Sequence, residues 1–163
     1  MLEIKKYPDR ILRKGCKPIE EIGRKEKKLF EDMLLTMHNS CGIGLAAPQV
    51  GILHQIIVSD IGEDIIIKLA NPKIIEVKGV DKMTEGCLSI PGVGVEVKRA
   101  FEVRISGLND EGRYIEVKAK GLLARVLQHE IDHLKGKLII DYLNIWKRKR
   151  LLKDYGRREQ ILF

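Results

Sequence analysis

Two histidines four residues apart, with a glutamate directly after the first, are the residues best placed to do chemistry: His129-Glu130-Ile131-Asp132-His133. On an α-helix, positions i and i+4 stack one turn apart on one face, so two imidazoles in this spacing reach one metal ion. The glutamate points about 100° away around the axis. It flanks the ion rather than binding it, and is free to move protons for a metal-bound water. The pattern predicts a metal-dependent hydrolase. Two ligands are too few, because a catalytic zinc-like site has three protein ligands and an open position. In one group of proteases a third histidine follows a glycine; Gly136 matches that glycine, but the ligand position is Ile139, which cannot bind a metal. Another group takes a glutamate from a later helix, and Glu159 is the only glutamate downstream. Upstream, Cys87 would complete a His-His-Cys set with a metal–sulfur distance of about 2.3 Å. A free cysteine is more often a small buried hydrophobe, so at this level the third ligand stays open.

The histidines need a helix, expected over residues 121–135. Leu122, Val126, His129 and His133 fall in one stripe, with Leu123, Leu127, Ile131 and Leu134 on the adjoining apolar face. Arg125, Gln128, Asp132 and Lys135 share the rest, so the helix should be buried on most sides, with Gly136 ending it. Leu122 and Val126, sharing the histidine stripe, are expected to line a pocket beside the metal. Residues 42–51 (GIGLAAPQVG) hold three glycines and two alanines, a backbone that something approaches closely. This is no phosphate loop, since no Lys-Ser or Lys-Thr follows. A tight connection explains the glycines but not Gln49, a lone amide in an apolar stretch.

Helical spacing of Leu29, Phe30, Met33, Leu34 and Met37 predicts a first helix near 24–38. Strands are expected at 52–59, 64–70 and 72–78, punctuated by Gly62 and Asn71-Pro72, then at 93–98 and 101–107. Asn109-Asp110-Glu111-Gly112 turns the chain into a hairpin partner near 113–119. The Pro and Gly residues of 84–92 argue against a long strand there. Residues 139–143 read as a short strand and 144–160 as a terminal helix. Separate strands and helices predict an α+β fold: antiparallel or mixed sheets around the central histidine-bearing helix, with an N-terminal and a C-terminal helix, in a single domain over 1–163.

The 163 residues suffice for a full core. No apolar run approaches the ~18 residues that would span a membrane, and the N-terminus has no signal-peptide core. Cys16, Cys41 and Cys87 are an odd number at irregular spacing, which fits reduced thiols and a cytoplasmic location. The net charge of +7 is concentrated at the end, where seven basic residues face two acidic ones over 147–163. That stretch is either a solvated helix face or a contact for a polyanion such as RNA.

Three segments in this order and spacing, residues 42–51 (GIGLAAPQVG), 85–89 (EGCLS) and 128–134 (QHEIDHL), closely resemble peptide deformylase. The likeness runs over nearly the whole chain, from Pro8-Asp9 to Ile140-Asp141. It implies that Cys87, His129 and His133 hold one divalent ion, Fe(II) in most of the family, with zinc, nickel or cobalt able to substitute. It implies attack of a metal-bound hydroxide on the formyl carbon of an N-formyl-methionyl nascent chain, with Glu130 as general base and then acid, releasing formate. Gln49 and the Leu88 backbone N–H are implied as donors to the oxyanion. Ile43 and Leu88 are implied as pocket walls that, with Leu122 and Val126, suit a methionine side chain. The backbone of Ile43, Gly44 and Leu45 would pair with the extended peptide, and Arg99 would meet the chain downstream. Gly92 stands where some relatives carry a glutamate, which opens the rim. The basic 147–163 tail would suit ribosome contact. Two rivals remain: a zinc endopeptidase acting on unformylated peptides, and an RNA-binding module with a structural metal.

Overall fold

The computed structural model describes residues 1–62 and 65–161, with side chains in the terminal helix only as far as Gly156. The first residue of the expected 64–70 strand, and the side chains of Arg157, Arg158 and Glu159, lie outside the described residues. The architecture is α+β. Helix α1 (Arg24–Asn39) is followed by β1 (Gly44–Ala46), a 3-10 turn (Ala47–Val50), β2 (Ile56–Asp60) and β3 (Ile66–Lys78). A hairpin of β4 (Asp81–Glu85) and β5 (Val95–Arg99) comes next, then β6 (Glu102–Leu108) and β7 (Tyr114–Lys120). Helix α2 (Gly121–Leu134), a 3-10 turn (Ile139–Tyr142) and α3 (Ile145–Ile161) complete the chain.

The strands form a five-stranded antiparallel sheet in the order β1-β2-β3-β6-β7 and a separate β4-β5 pair. Alternation along β1 and β2 sends successive side chains to opposite faces. Leu45, Ile56 and Val58 pack on one side with Phe30, Met33 and Met37 of α1. Ala46 and Ile57 pack on the other with Leu123, Leu127, Ile131 and Leu134 of α2. Met33 and Met37 are therefore core. A third cluster joins Leu12, Val95, Val97, Ile139, Ile140 and Tyr155, with Cys87 against its edge. Helix α2 lies between the large sheet and the β4-β5 hairpin, which is why eleven of its fourteen residues are buried.

Three expectations about local structure are corrected. Asn71-Pro72 does not separate two strands: β3 runs through it with a shift of register between Ala70 and Lys73. Asn71 adopts φ 50° and its side chain brackets Ile19, accepting from its N–H (2.8 Å) and donating to its carbonyl (2.7 Å). A bulge tolerates Pro72 because no ladder bond is asked of its missing N–H. Residues 139–143 are not a strand; the apolar Ile139-Ile140 pair is buried from a 3-10 turn whose Asp141 carboxylate accepts from Leu138 N–H at 2.9 Å. Residues 81–85, read from sequence as no element, form β4.

Candidate metal centre and active site

Helix α2 carries His129 and His133 on one face, with their Nε2 atoms 3.1 Å apart. Cys87 Sγ lies 3.3 Å from His133 Nε2, and the three donor atoms all fall within 4.8 Å of one another. The cysteine arrives from the loop after β4, where Ile90 N–H closes a turn on the Cys87 carbonyl at 3.0 Å. The N-terminal segment straps this loop to the glycine-rich one: Tyr7 N–H donates to the Ser89 carbonyl (2.8 Å) and Lys5 N–H to the Gln49 carbonyl (2.7 Å).

One sulfur and two imidazole nitrogens at this separation are a donor set for a borderline-soft divalent ion with an open position. The electrostatics agree. Burial opposes charge on His129, yet Cys87 and Glu85 push its pKa up to about 10, so the surroundings favour positive charge at this point. Burial and the neighbouring His129 hold His133 well below the ordinary histidine value, which leaves the ring neutral with a lone pair on one nitrogen. A divalent cation meets both conditions, and the residues present fit one.

Glu85 orients the site. Its carboxylate lies 2.9 Å from His129 Nδ1, an arrangement that would fix the imidazole with Nε2 free for a metal ion. Arg99 donates to both Glu85 oxygens, from Nε at 2.6 Å and Nη2 at 2.9 Å, and Arg125 Nη1 donates at 2.7 Å. Burial raises the Glu85 pKa, but the His129 and Arg99 contacts outweigh it and bring it down to about 2. Arg99 is thereby corrected: its side chain is 3% exposed and pairs with Glu85 and, through Nη1 at 2.9 Å, with Asp132, so it does not reach the pocket. Its position follows from the alternation Val95, Val97, Arg99, which turns all three inward along β5. That alternation was readable in the sequence, whereas Glu85 and Arg125 carried no signal of their pairing.

Glu130 flanks the histidines on α2. Its Oε2 is buried with no hydrogen-bond partner among the described residues, and burial raises its pKa to about 7. Gln49 is buried with its Oε1 accepting from Ala46 N–H at 2.8 Å, which fixes the amide so that Nε2 faces Cys87 Sγ (3.6 Å) and Ser89 Oγ (3.1 Å). A cleft of about 470 Å³ opens over the donor set, and Ile43, Gly44, Gln49, Leu88, Leu122, Val126, His129 and Glu130 line it. Leu45 is fully buried on the α1 side, so any part it takes is through its backbone. Gly44 has a reason beyond pairing with a peptide: a Cβ there would collide with Glu130 Oε1 and, at 2.6 Å, with Val126 Cγ1. Cys41, Met83 and Arg125 also border the cleft and were not anticipated.

The polypeptide deformylase family model matches residues 1–149. A peptide deformylase of Thermodesulfovibrio yellowstonii is 47% identical over 159 residues, covering 95% of this chain and 96% of the relative. The crystal structure of a peptide deformylase from Legionella pneumophila superposes with a TM-score of 0.93 at 38% identity, covering 99% of this chain and 97% of that one. The Ehrlichia chaffeensis enzyme in complex with actinonin gives 0.93 at 36% identity, with 98% of each chain covered.

Proposed function

From the chain's membership of the polypeptide deformylase family, which makes it a hydrolase, we propose that it removes the formyl group from N-formyl-methionyl nascent polypeptides in the cytoplasm. The observation that carries this reading is the convergence of Cys87, His129 and His133 beside a buried, unpartnered Glu130 oxygen at the base of one cleft. The two histidines and the cysteine would hold one divalent ion, Fe(II) in preference, with zinc, nickel or cobalt as substitutes. Such an ion supplies Lewis acidity, polarising a carbonyl and lowering the pKa of water.

The remaining work falls to the protein. Among the described residues, strand β1 is the edge of its sheet, paired only with β2. An extended peptide adds to that edge along Ile43, Gly44 and Leu45, which aligns the formyl group with the floor of the cleft. The methionine side chain enters the apolar part bounded by Ile43, Leu88, Leu122 and Val126. Glu130 accepts the proton of the attacking water and returns it to the departing amine, leaving formate and a peptide with a free N-terminal methionine. Gln49 Nε2 and the Leu88 backbone N–H donate to the oxygen that gains charge. One such donor is worth roughly 3–4 kcal/mol of barrier. Glu85 holds His129 in one tautomer throughout, and Arg99 and Arg125 hold Glu85.

Anaerobically purified protein, assayed for formate release from formyl-Met-Ala alongside elemental analysis, tests the proposal. Formate release that depends on the metal is expected. Cleavage of internal amides in unformylated peptides, without formate release, would identify an endopeptidase instead.

A further inference from the structure

A second cleft, of about 370 Å³, lies between the loop after Cys87 and helix α3. Gly92 belongs to the walls of both clefts, so the two adjoin at this residue. A Cβ added at Gly92 would meet nothing within 4 Å among the described residues, and the residue adopts φ 71°, so no side chain stands on the backbone where the two clefts adjoin. The second cleft has an apolar floor, Val93, Leu151 and Tyr155, packed in the third core cluster. Its rim carries Lys147 and Arg150, both exposed and without an ion pair among the described residues, against one acid, Asp154. By contrast, the neighbouring Arg148 is held by Asp141 at 3.2 Å.

Resting on the deformylase reading, we propose that this cleft is a downstream subsite for the substrate polypeptide. It takes the residues beyond the first few after methionine and selects acidic side chains through Lys147 and Arg150. Two observations favour a peptide. The cleft adjoins, at Gly92, the one proposed to hold the reacting end, and an apolar floor beneath a cationic rim suits an extended chain with alternating side chains. An RNA strand would instead meet the outer face of α3, where Trp146 is 78% exposed and Lys149 lies 6.0 Å from its ring.

Formyl-Met heptapeptides carrying a Glu or a Lys scanned from the third to the seventh position test this, with the wild-type chain and Lys147→Glu/Arg150→Glu. The readout is the ratio of kcat/KM for each acidic peptide to its basic counterpart within one enzyme, so the amount of folded protein cancels. In the wild type the ratio rises several-fold at one or two positions, through KM, and shrinks as salt is added. In the charge-reversed variant it drops below one at the same positions. Equal ratios at every position, or a preference that survives charge reversal, would overturn the subsite. A variant that loses affinity for a single-stranded RNA while its peptide ratios stay put would assign the rim to RNA instead. Absence of formate from formyl-Met-Ala with the wild type would refute the deformylase reading itself, a separate outcome.

Discussion

Replacing Glu85 by glutamine should damage stability and metal binding together. The carboxylate lies between two guanidinium groups and an imidazole, with contacts of 2.6, 2.9 and 2.7 Å to the arginines and 2.9 Å to His129 Nδ1. Its side chain is 5% exposed, and those of Arg99 and Arg125 are 3% and 5%. Glutamine preserves volume but removes the charge, and turns an NH2 group towards donors. Breaking a buried ion pair by removing one partner costs about 3–5 kcal/mol. The contacts of Arg99 with Asp132 (2.9 Å) and of Arg125 with Asp81 (3.4 Å) remain, which places the loss toward the lower end, about 3 kcal/mol. Against a domain stability of about 5–15 kcal/mol the variant still folds. The loosened His129 ring should weaken metal binding by about 10–100-fold. Urea unfolding followed by far-ultraviolet circular dichroism reads the first effect, since Trp146 is too exposed to report on the core. Anaerobic competition with a chelator reads the second. Glu85→Asp, which keeps the charge, should recover part of both. A Glu85→Gln protein with unfolding free energy within 1 kcal/mol of wild type and unchanged metal affinity would refute the account of Glu85 as the anchor of His129.

Gly44→Ala places a methyl group against Glu130 Oε1 and Val126 Cγ1 without straining the backbone, because Gly44 is not in the left-handed region. Overpacking of this kind costs about 1–3 kcal/mol, and a displaced Glu130 should lower kcat by about 10²-fold; a full kcat on formyl-Met-Ala would show that Glu130 is not held where the reaction needs it. Burial opposes ionisation of Asp141, but the Arg13 hydrogen bond and the Leu138 N–H outweigh it and lower its pKa. Its contribution is therefore present above the unfolded value near 3.8 and lost as pH falls below it, and Asp141→Asn should flatten the acid limb of a stability-against-pH curve; an unchanged limb would dismiss the pair. Ribosome contact through the basic end of the chain is best tested on its surface, since Leu151, Leu152 and Tyr155 belong to the core and deleting the tail would disturb it. Trp146→Ala with Lys149→Glu should weaken co-sedimentation with ribosomes and reduce its salt dependence, whereas identical pelleting would remove this face from consideration.

The placing of the two histidines was legible from the chain alone, because i and i+4 are fixed by helical geometry whatever surrounds them. His129 and His133 share a face with Leu122 and Val126, and the structure puts Leu122, Val126 and His129 on the wall of one cleft. Core stripes such as Phe30, Met33 and Met37 were readable for the same reason. Contacts between distant parts were not. Cys87 lies 42 residues before His129, and without a family resemblance its burial as a hydrophobe was the better reading. The β4–β5 register, Asp81 opposite Arg99 and Glu85 opposite Val95, brings that loop over α2. The same register places Arg99 where it clamps Glu85. Asn71-Pro72 and Ile139-Ile140 misled for a related reason: local propensity marks where a ladder or a strand is disfavoured or allowed, but whether a bulge or a buried 3-10 turn results depends on the neighbour that receives the side chains. Spacing along one helix determined which two imidazoles lie together; only the packing of hairpin, strap and helix decided which sulfur lies beside them and which carboxylate hydrogen-bonds His129.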